Sequence, residues 1–423
     1  MIKTIIIILL LFTYIYPVFL KFSPIPTDRI IQVIGFIVMF FSSRFFIDIL
    51  KIKGLKSILD YIFLMVVFIF IIYIWNFGNS DLYFLKETSS ILFYFFSACL
   101  VCYVLSRKYS NNLFVRLLDY IVIISVIQAV ISLLIFVNPD LFNMYLDLLN
   151  PNTNQGLFDR VSLIERRLIG VGSAFFSGAI KYGVVFFILI ILPYCKDSFI
   201  GKNKLFYILS FTIISVAGML TARTFFGAVF LGLVLYILID LKNGLKLVFK
   251  ILPLLLIISI IITKAFDFFI EGNRLEEISG FVFEIFFNYL ENGELVTSSS
   301  DATLSMYIFP DSLKTWLFGD GRMLLANGYY MRTDIGYIRL LFYFGIVGMF
   351  FYFLYQITLF KYLYRLFSET IFKKFILILF LWVVVLNFKG LAELNPYIIL
   401  FMVVKGYELI KKDKTTYVSR FSR

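Results

Sequence analysis

Arginines gather where the apolar runs of this chain begin and end. RTDIGYIRLLFYFGIVG (332–348) sets Arg332 and Asp334 ahead of such a run and Arg339 a short way into it. Arg223 falls in TART (221–224), a minimal turn between two runs, and Arg166 and Arg167 stand just before another. A guanidinium offers a fixed fork of N–H donors that matches phosphate or carboxylate bidentately, which Lys does not. Arg332 and Arg339 are seven apart, so a continuous helix puts them on one face. Several such cations at one depth line an anionic pocket, and a pyrophosphate at a membrane surface is the natural ligand. The alternatives are local pairing with acids and contact with lipid headgroups.

Other polar groups allow similar alternatives. Gly319-Asp320-Gly321-Arg322 is a short glycine-rich turn, too brief to define a phosphate loop. Lys389 and Glu393, four apart in NFKGLAELNP, have the spacing of an ion pair on one helical turn. Lys181, inside an apolar run, is expected to snorkel or to meet a carboxylate. Cys99 and Cys102 lie one turn apart in an apolar run with no further ligand nearby, the pattern of packing residues. Histidine is absent altogether, which removes the usual zinc, haem and Ser-His-Asp chemistries and leaves proton transfer to carboxylates.

The elements that position these groups are membrane helices. Of the 423 residues, 61% are hydrophobic, and the mean hydropathy is +0.94. Soluble domains rarely exceed about half apolar residues. The apolar runs approach the ~20 residues that cross a bilayer, and the weaker alternation of an outer-membrane barrel is absent. Twelve spans are expected, near 4–20, 30–50, 59–75, 89–105, 117–137, 173–194, 204–221, 224–240, 247–263, 335–359, 374–388 and 395–410. The first resembles a signal sequence without a small-residue cleavage site, hence an uncleaved helix.

Basic residues fix the expected orientation. Of 39 Lys and Arg, 22 fall in one alternating set of mostly short loops and 13 in the longer opposite set. The positive-inside rule then puts both termini in the cytoplasm. Eight of the 13 outer basic residues are Arg, against five of the 22 inner ones. A topology signal works equally well with Lys, so the skew calls for an anionic partner. The outer side also carries the long segments, 138–172 and 264–334. Within the second, 275–294 reads as an amphipathic helix on the membrane surface and 295–305 as a polar linker. The chain reads as one membrane-embedded domain, 1–423, with no internal repeat, and no nucleic-acid partner is expected.

In its order of motifs the chain resembles the bacterial O-antigen polymerases (Wzy type) and their relatives, the O-antigen ligases. RLIGVGSAFFSGAIKYG holds Arg167, ten residues and then Gly178, like the Arg-x10-Gly pattern of those polymerases; no such spacing follows Arg274, Arg322 or Arg332. GMLTARTFFGAVF resembles the superfamily's Ser/Thr-Arg-Thr turn. LFGDGR followed by YYMRTDIGYIRLLFYFGIVG resembles its most characteristic block, in which ligases carry His, a polar residue, nine residues and two spaced glycines. Here Asp334 and Ile335 precede nine residues and then Gly345 and Gly348, so Asp334 takes the histidine position. That departure favours polymerase over ligase.

The resemblance implies an all-α, polytopic, GT-C-like membrane protein with about twelve helices and two large periplasmic loops, in the bacterial inner membrane. It implies a glycosyltransferase joining polyprenyl-pyrophosphate-linked oligosaccharide units at the periplasmic face, lipid pyrophosphate leaving. Its partners are that lipid-linked oligosaccharide, membrane lipids and, as a candidate protein partner, a chain-length regulator. Arg167 and Arg223 are then expected to stabilise the developing pyrophosphate charge, with Arg166, Arg322, Arg332, Arg339 and Lys389 binding it. Asp334 is the expected base, its competing role being a salt bridge to Arg332 or Arg339. No Asp-x-Asp pair occurs, and neither metal nor cofactor is expected. A lipid-linked oligosaccharide flippase or another transporter is the reading from a different class, disfavoured by the seventy-residue outer segment and the boundary position of the charges.

Overall fold

The computed structural model describes residues 2–52, 54–78, 80–150, 167–241, 280, 284, 288–289, 292–293, 297–325 and 328–421. It is overwhelmingly helical. In chain order the helices are α1 (Ile2–Ile15), α2 (Thr27–Phe41), α3 (Ser43–Leu50), α4 (Leu55–Trp75), α5 (Tyr83–Lys108), α6 (Leu113–Val137) and α7 (Pro139–Leu148). A two-residue hairpin, β1 (Ile169–Gly170) and β2 (Ser173–Ala174), leads into α8 (Phe175–Ile191), α9 (Phe199–Lys202), α10 (Lys204–Thr221) and α11 (Phe225–Ile239). After α12 (Ser298–Ser305) and α13 (Leu313–Phe318) comes a second hairpin, β3 (Leu324–Leu325) and β4 (Gly328–Tyr329). The chain closes with α14 (Gly336–Arg365), α15 (Thr370–Leu386) and α16 (Asn395–Phe421).

Among the described residues six helices are long and apolar enough to cross a membrane. They are α4, α5, α6, α8 with the turn that follows it, α10 and α14. A seventh is added if α2 and α3, bent by 101° about Ser42, form one span. The chain is thus a helical protein built for a membrane. The expected span 247–263 lies outside the described residues, as do Arg160, Arg166, Arg274 and most of 275–294.

The polar stretch 295–305 departs from its expected role as a linker, because Ser298–Ser305 is helical. It has no apolar period to betray it, but Asp301 in its first turn suits the helix dipole. Likewise 138–172 holds a real helix. Asn138 caps α7 by accepting from the N–H groups of Asp140 at 2.9 Å and Leu141 at 3.2 Å, with Pro139 at the first helical position.

Packing divides the chain into two compact units, residues 1–30 with 115–297 and residues 31–114 with 298–423. In the first, α8 is the central helix, packed on α10 and α11. Two of its buried tyrosines are paired: the Tyr16 hydroxyl donates to Ser125 Oγ at 2.8 Å, and Tyr182 donates to Gln128. Fully buried Asp119 accepts from the Ser198 hydroxyl (2.6 Å) and the Phe199 N–H (3.1 Å), holding the start of α9. Within a bilayer such pairs and close packing replace the hydrophobic drive.

In the second unit α16 lies along α5, and α14 packs on α4, α13 and α15. Its core is aromatic: Phe84 sits 4.7 Å from Tyr343 and 4.6 Å from Phe344, centroid to centroid.

Helix α14 is broken at Gly345, whose φ of 62° and ψ of −178° interrupt the ladder. The carbonyls this orphans are taken by the GDGR turn. Asp320 N–H donates to Phe342 O at 2.6 Å and Gly321 N–H to Tyr343 O at 3.1 Å. The turn is held in its own right, since Asp320 accepts from Thr315 Oγ1 at 2.8 Å and from the Tyr330 hydroxyl at 3.2 Å. The short glycine-rich turn is therefore a splint for a broken helix.

Candidate functional site

Two groups of charged residues stand out, one in each unit. In the first unit Arg223 occupies the turn between α10 and α11, as TART implied. It is half-buried and ion-paired with Glu284. Burial pulls its pKa below the usual value and Glu284 works against that, leaving a charged guanidinium.

Arg167 reaches the same end of the unit. The next residue, Leu168, donates its N–H to Leu220 O at 2.9 Å, three residues before Arg223. Arg167 itself lies over the Phe175 ring, 5.8 Å from its centroid. It does not directly precede the helix, as expected, because the β1–β2 hairpin intervenes and α8 starts at Phe175.

The Arg-x10-Gly spacing acquires a physical reason here. A Cβ on Gly178 would sit 2.5 Å from Thr221 Cγ2, so α8 and α10 touch at this glycine. Contact at Gly178 and the Leu168 hydrogen bond together hold Arg167 beside the Arg223 turn. Gly178→Ala should lower the thermal unfolding midpoint by the equivalent of about 1–3 kcal/mol. Adding Thr221→Ser, which removes the nearer of two obstructions and leaves Ser173 Oγ at 2.9 Å, should recover part of the loss. No recovery in the double variant would disprove the contact as its cause.

Lys181 is held inside the unit and makes no direct ion pair among the described residues. Its Nζ donates to Gly172 O at 2.6 Å and lies 5.2 Å from the Tyr16 ring centroid, with Asp28 within electrostatic reach.

In the second unit the beginnings of α5, α14 and α16 come together. Arg339 is only 6% exposed. Its guanidinium stacks on the Tyr329 ring at 3.6 Å, while its Nε and Nη2 have no hydrogen-bond partner among the described residues. A cation–π contact offsets part of the cost of burying this charge, but the two N–H groups remain unanswered. Tyr83, at the start of α5, lies within electrostatic reach of Arg339, Glu87, Glu393 and Tyr329.

Arg332 does not share Arg339's helical face. It sits in a tight turn with a φ of 53°, exposed, and α14 begins only at Gly336. Asp334 is half-buried in the link between them and, among the described residues, makes no hydrogen bond or ion pair. The salt bridge to Arg332 or Arg339 is therefore not formed. Arg322 lies 5.8 Å from the Tyr330 ring centroid and donates to Leu324 O at 3.3 Å.

The Lys389–Glu393 expectation also changes, since the segment between α15 and α16 is not a helical turn beyond Gly390. Buried Asn387 ties it, donating to Ala392 O at 3.0 Å and to Val383 O at 2.9 Å. That turn delivers Glu393 to Tyr352 and Asn395, both of which donate to its carboxylate. Burial pushes the Glu393 carboxyl up to about 7 and nearby Glu87 adds to this, against the two hydrogen bonds. Lys389 is half-buried on the same turn.

Sequence reasoning passed over Glu393 and Glu87 as site residues. The available signal was Asn395-Pro396, which marks a fresh helix start and so isolates Glu393 in the preceding turn.

The fold and these groups define a multi-helical membrane protein with a buried, incompletely paired arginine where three helices begin. No family model, curated protein or solved structure matches the chain.

Proposed function

We propose that the protein joins polyprenyl-pyrophosphate-linked oligosaccharide repeat units into O-antigen or a related surface polysaccharide, at the periplasmic face of a bacterial inner membrane. The observation that carries this reading is Arg339, a buried guanidinium with two open N–H donors. An uncompensated buried cation is costly, and an anionic ligand repays that cost. A diphosphate offers acceptors for both donors, with Tyr329 holding the plane of the fork.

In the reaction a hydroxyl oxygen of one unit bonds to the anomeric carbon of the other glycan. The bond from that carbon to the pyrophosphate oxygen breaks, and its electron pair leaves with the lipid pyrophosphate. Negative charge grows on the leaving group, where a fixed guanidinium stabilises it without reorganising. Arg167 and Arg223 are the corresponding cations of the first unit, with Arg223 partly neutralised by Glu284. The positive-inside pattern supports the periplasmic assignment, because it puts the starts of α5, α14 and α16 on the outer side. Asp334, where ligases carry histidine, supports polymerase over ligase.

Deletion and complementation in the source strain test the reading by glycan length on a gel. Loss of a polymerase leaves one repeat unit on the lipid A core, restored to a ladder by the intact gene. Cores with no unit attached and lipid-linked polymer accumulating would instead mean a ligase. Units stranded on the cytoplasmic side would mean a flippase.

A further inference from the structure

Resting on that reading, we infer that Glu393 is the catalytic base: it accepts the proton of the attacking sugar hydroxyl, held for that task by Tyr352 and Asn395. The step balances simply. As the hydroxyl oxygen bonds to the anomeric carbon, its proton passes to a Glu393 oxygen and the electron pair of the breaking bond leaves on the pyrophosphate. The protonated carboxyl then returns its proton to water.

Three observations carry this assignment. Glu393 sits in the turn before α16, in the same polar cluster as Arg339, both within electrostatic reach of Tyr83. Acid and cation thus share one neighbourhood, as a base and a leaving-group stabiliser must. Secondly, the carboxylate is oriented, because Tyr352 and Asn395 each donate to it and Gln356 donates in turn to Asn395 Oδ1 at 3.5 Å. Asp334 has no such support among the described residues. Thirdly, Glu393 faces Glu87 and Tyr83 from α5, Tyr352 and Tyr355 from α14, and Asn395 from α16. The second acid and the burial favour the protonated form, tuning the carboxyl to about 7, near the pH at which a base works best.

The test compares Glu393→Gln, Glu393→Asp and Asp334→Asn in the deletion strain, at membrane levels matched by immunoblot. The inference expects Glu393→Gln to cut polymerisation at least 100-fold, Glu393→Asp to keep a measurable part, and Asp334→Asn to keep a full ladder. Tyr352→Phe removes a hydrogen bond that favours the carboxylate. It should move the acidic limb of the pH–activity profile of the purified enzyme upward, a shift that a purely structural role of Tyr352 would not produce.

A normal ladder from Glu393→Gln overturns the inference, and so does loss in Asp334→Asn with Glu393→Gln intact. Either result leaves the polymerase reading standing, because the intact gene still restores the ladder. Failure of the intact gene to build a ladder overturns that reading, and the inference with it.

Discussion

Replacing Arg339 with methionine should abolish polymerisation, by a factor of 100 to 1,000 or more, without unfolding the protein. The factor is that measured when one preorganised charge-stabilising donor is removed, about 10²–10³. Stability should hold or rise, because the variant loses a 6%-exposed cation whose Nε and Nη2 have no partner among the described residues. Methionine keeps an unbranched apolar stem over Tyr329 and adapts to irregular space. Most core changes lose stability along with function, so the expected pattern is diagnostic. Arg339→Lys should recover only part of the activity, since an ammonium keeps the charge and lacks the fork. Thermal unfolding in detergent and the glycan ladder are the two readouts. A full ladder from Arg339→Met would remove the anion site from the account.

Gly345→Ala should fail in the opposite way, losing the fold and the activity together. A φ of 62° with ψ near 180° suits glycine alone, and strain there costs of order 1–3 kcal/mol. Space is worse than strain. The added Cβ would lie 2.4 Å from the backbone of Leu317 and Phe318, atoms that cannot rotate away. The GDGR turn must then shift, releasing the Phe342 and Tyr343 carbonyls that Asp320 and Gly321 satisfy. Arg339 lies on the half-helix so freed. Expected are a sharply lower level in membranes and a midpoint at least several degrees lower. Gly280→Ala, whose Cβ would meet nothing within 4 Å among the described residues and whose φ is not positive, should change neither. An unaltered midpoint for Gly345→Ala would mean that α14 runs unbroken through residue 345.

Glu393 offers a pH-dependent stability effect of calculable sign. Its folded pKa of about 7 stands above the ordinary 4.5, so the folded state holds the proton more tightly than the unfolded chain. Its contribution is fully present below pH 4.5 and is lost as pH rises through 7. Glu393→Gln should therefore gain stability relative to the parent above pH 7, on the order of 3 kcal/mol before solvent screening reduces it. The pH dependence of the difference in unfolding midpoints measures this. A difference that is flat between pH 5 and 8 would count against the perturbed carboxyl.

Much of the architecture was legible in the chain, because long apolar runs bounded by charges have few alternatives to helix. Each expected span among the described residues contains a helix, and Arg223 lies in the turn that TART implied. Geometry at helix ends is not legible in the same way. The run from Ile335 reads as continuous with Arg332, yet Met331 and Arg332 both take positive φ and separate it from α14. The 101° bend at Ser42 and the break at Gly345 are likewise invisible to hydropathy, which counts apolar residues and ignores backbone angles. Glu393 is hidden for a related reason. Four-residue spacing implies a pair with Lys389 only if the turn is helical, and Asn387 makes it something else.

The proposed reaction of this chain is the lengthening of lipid-linked glycan. Its most direct test reconstitutes the purified protein in proteoliposomes with polyprenyl-pyrophosphate-linked repeat units isolated from the source strain. A ladder of longer lipid-linked glycans is expected, with one polyprenyl pyrophosphate released for each linkage formed, and neither product from Arg339→Met. Units that stay single while passing to added lipid A core, or that only cross the bilayer, would contradict it.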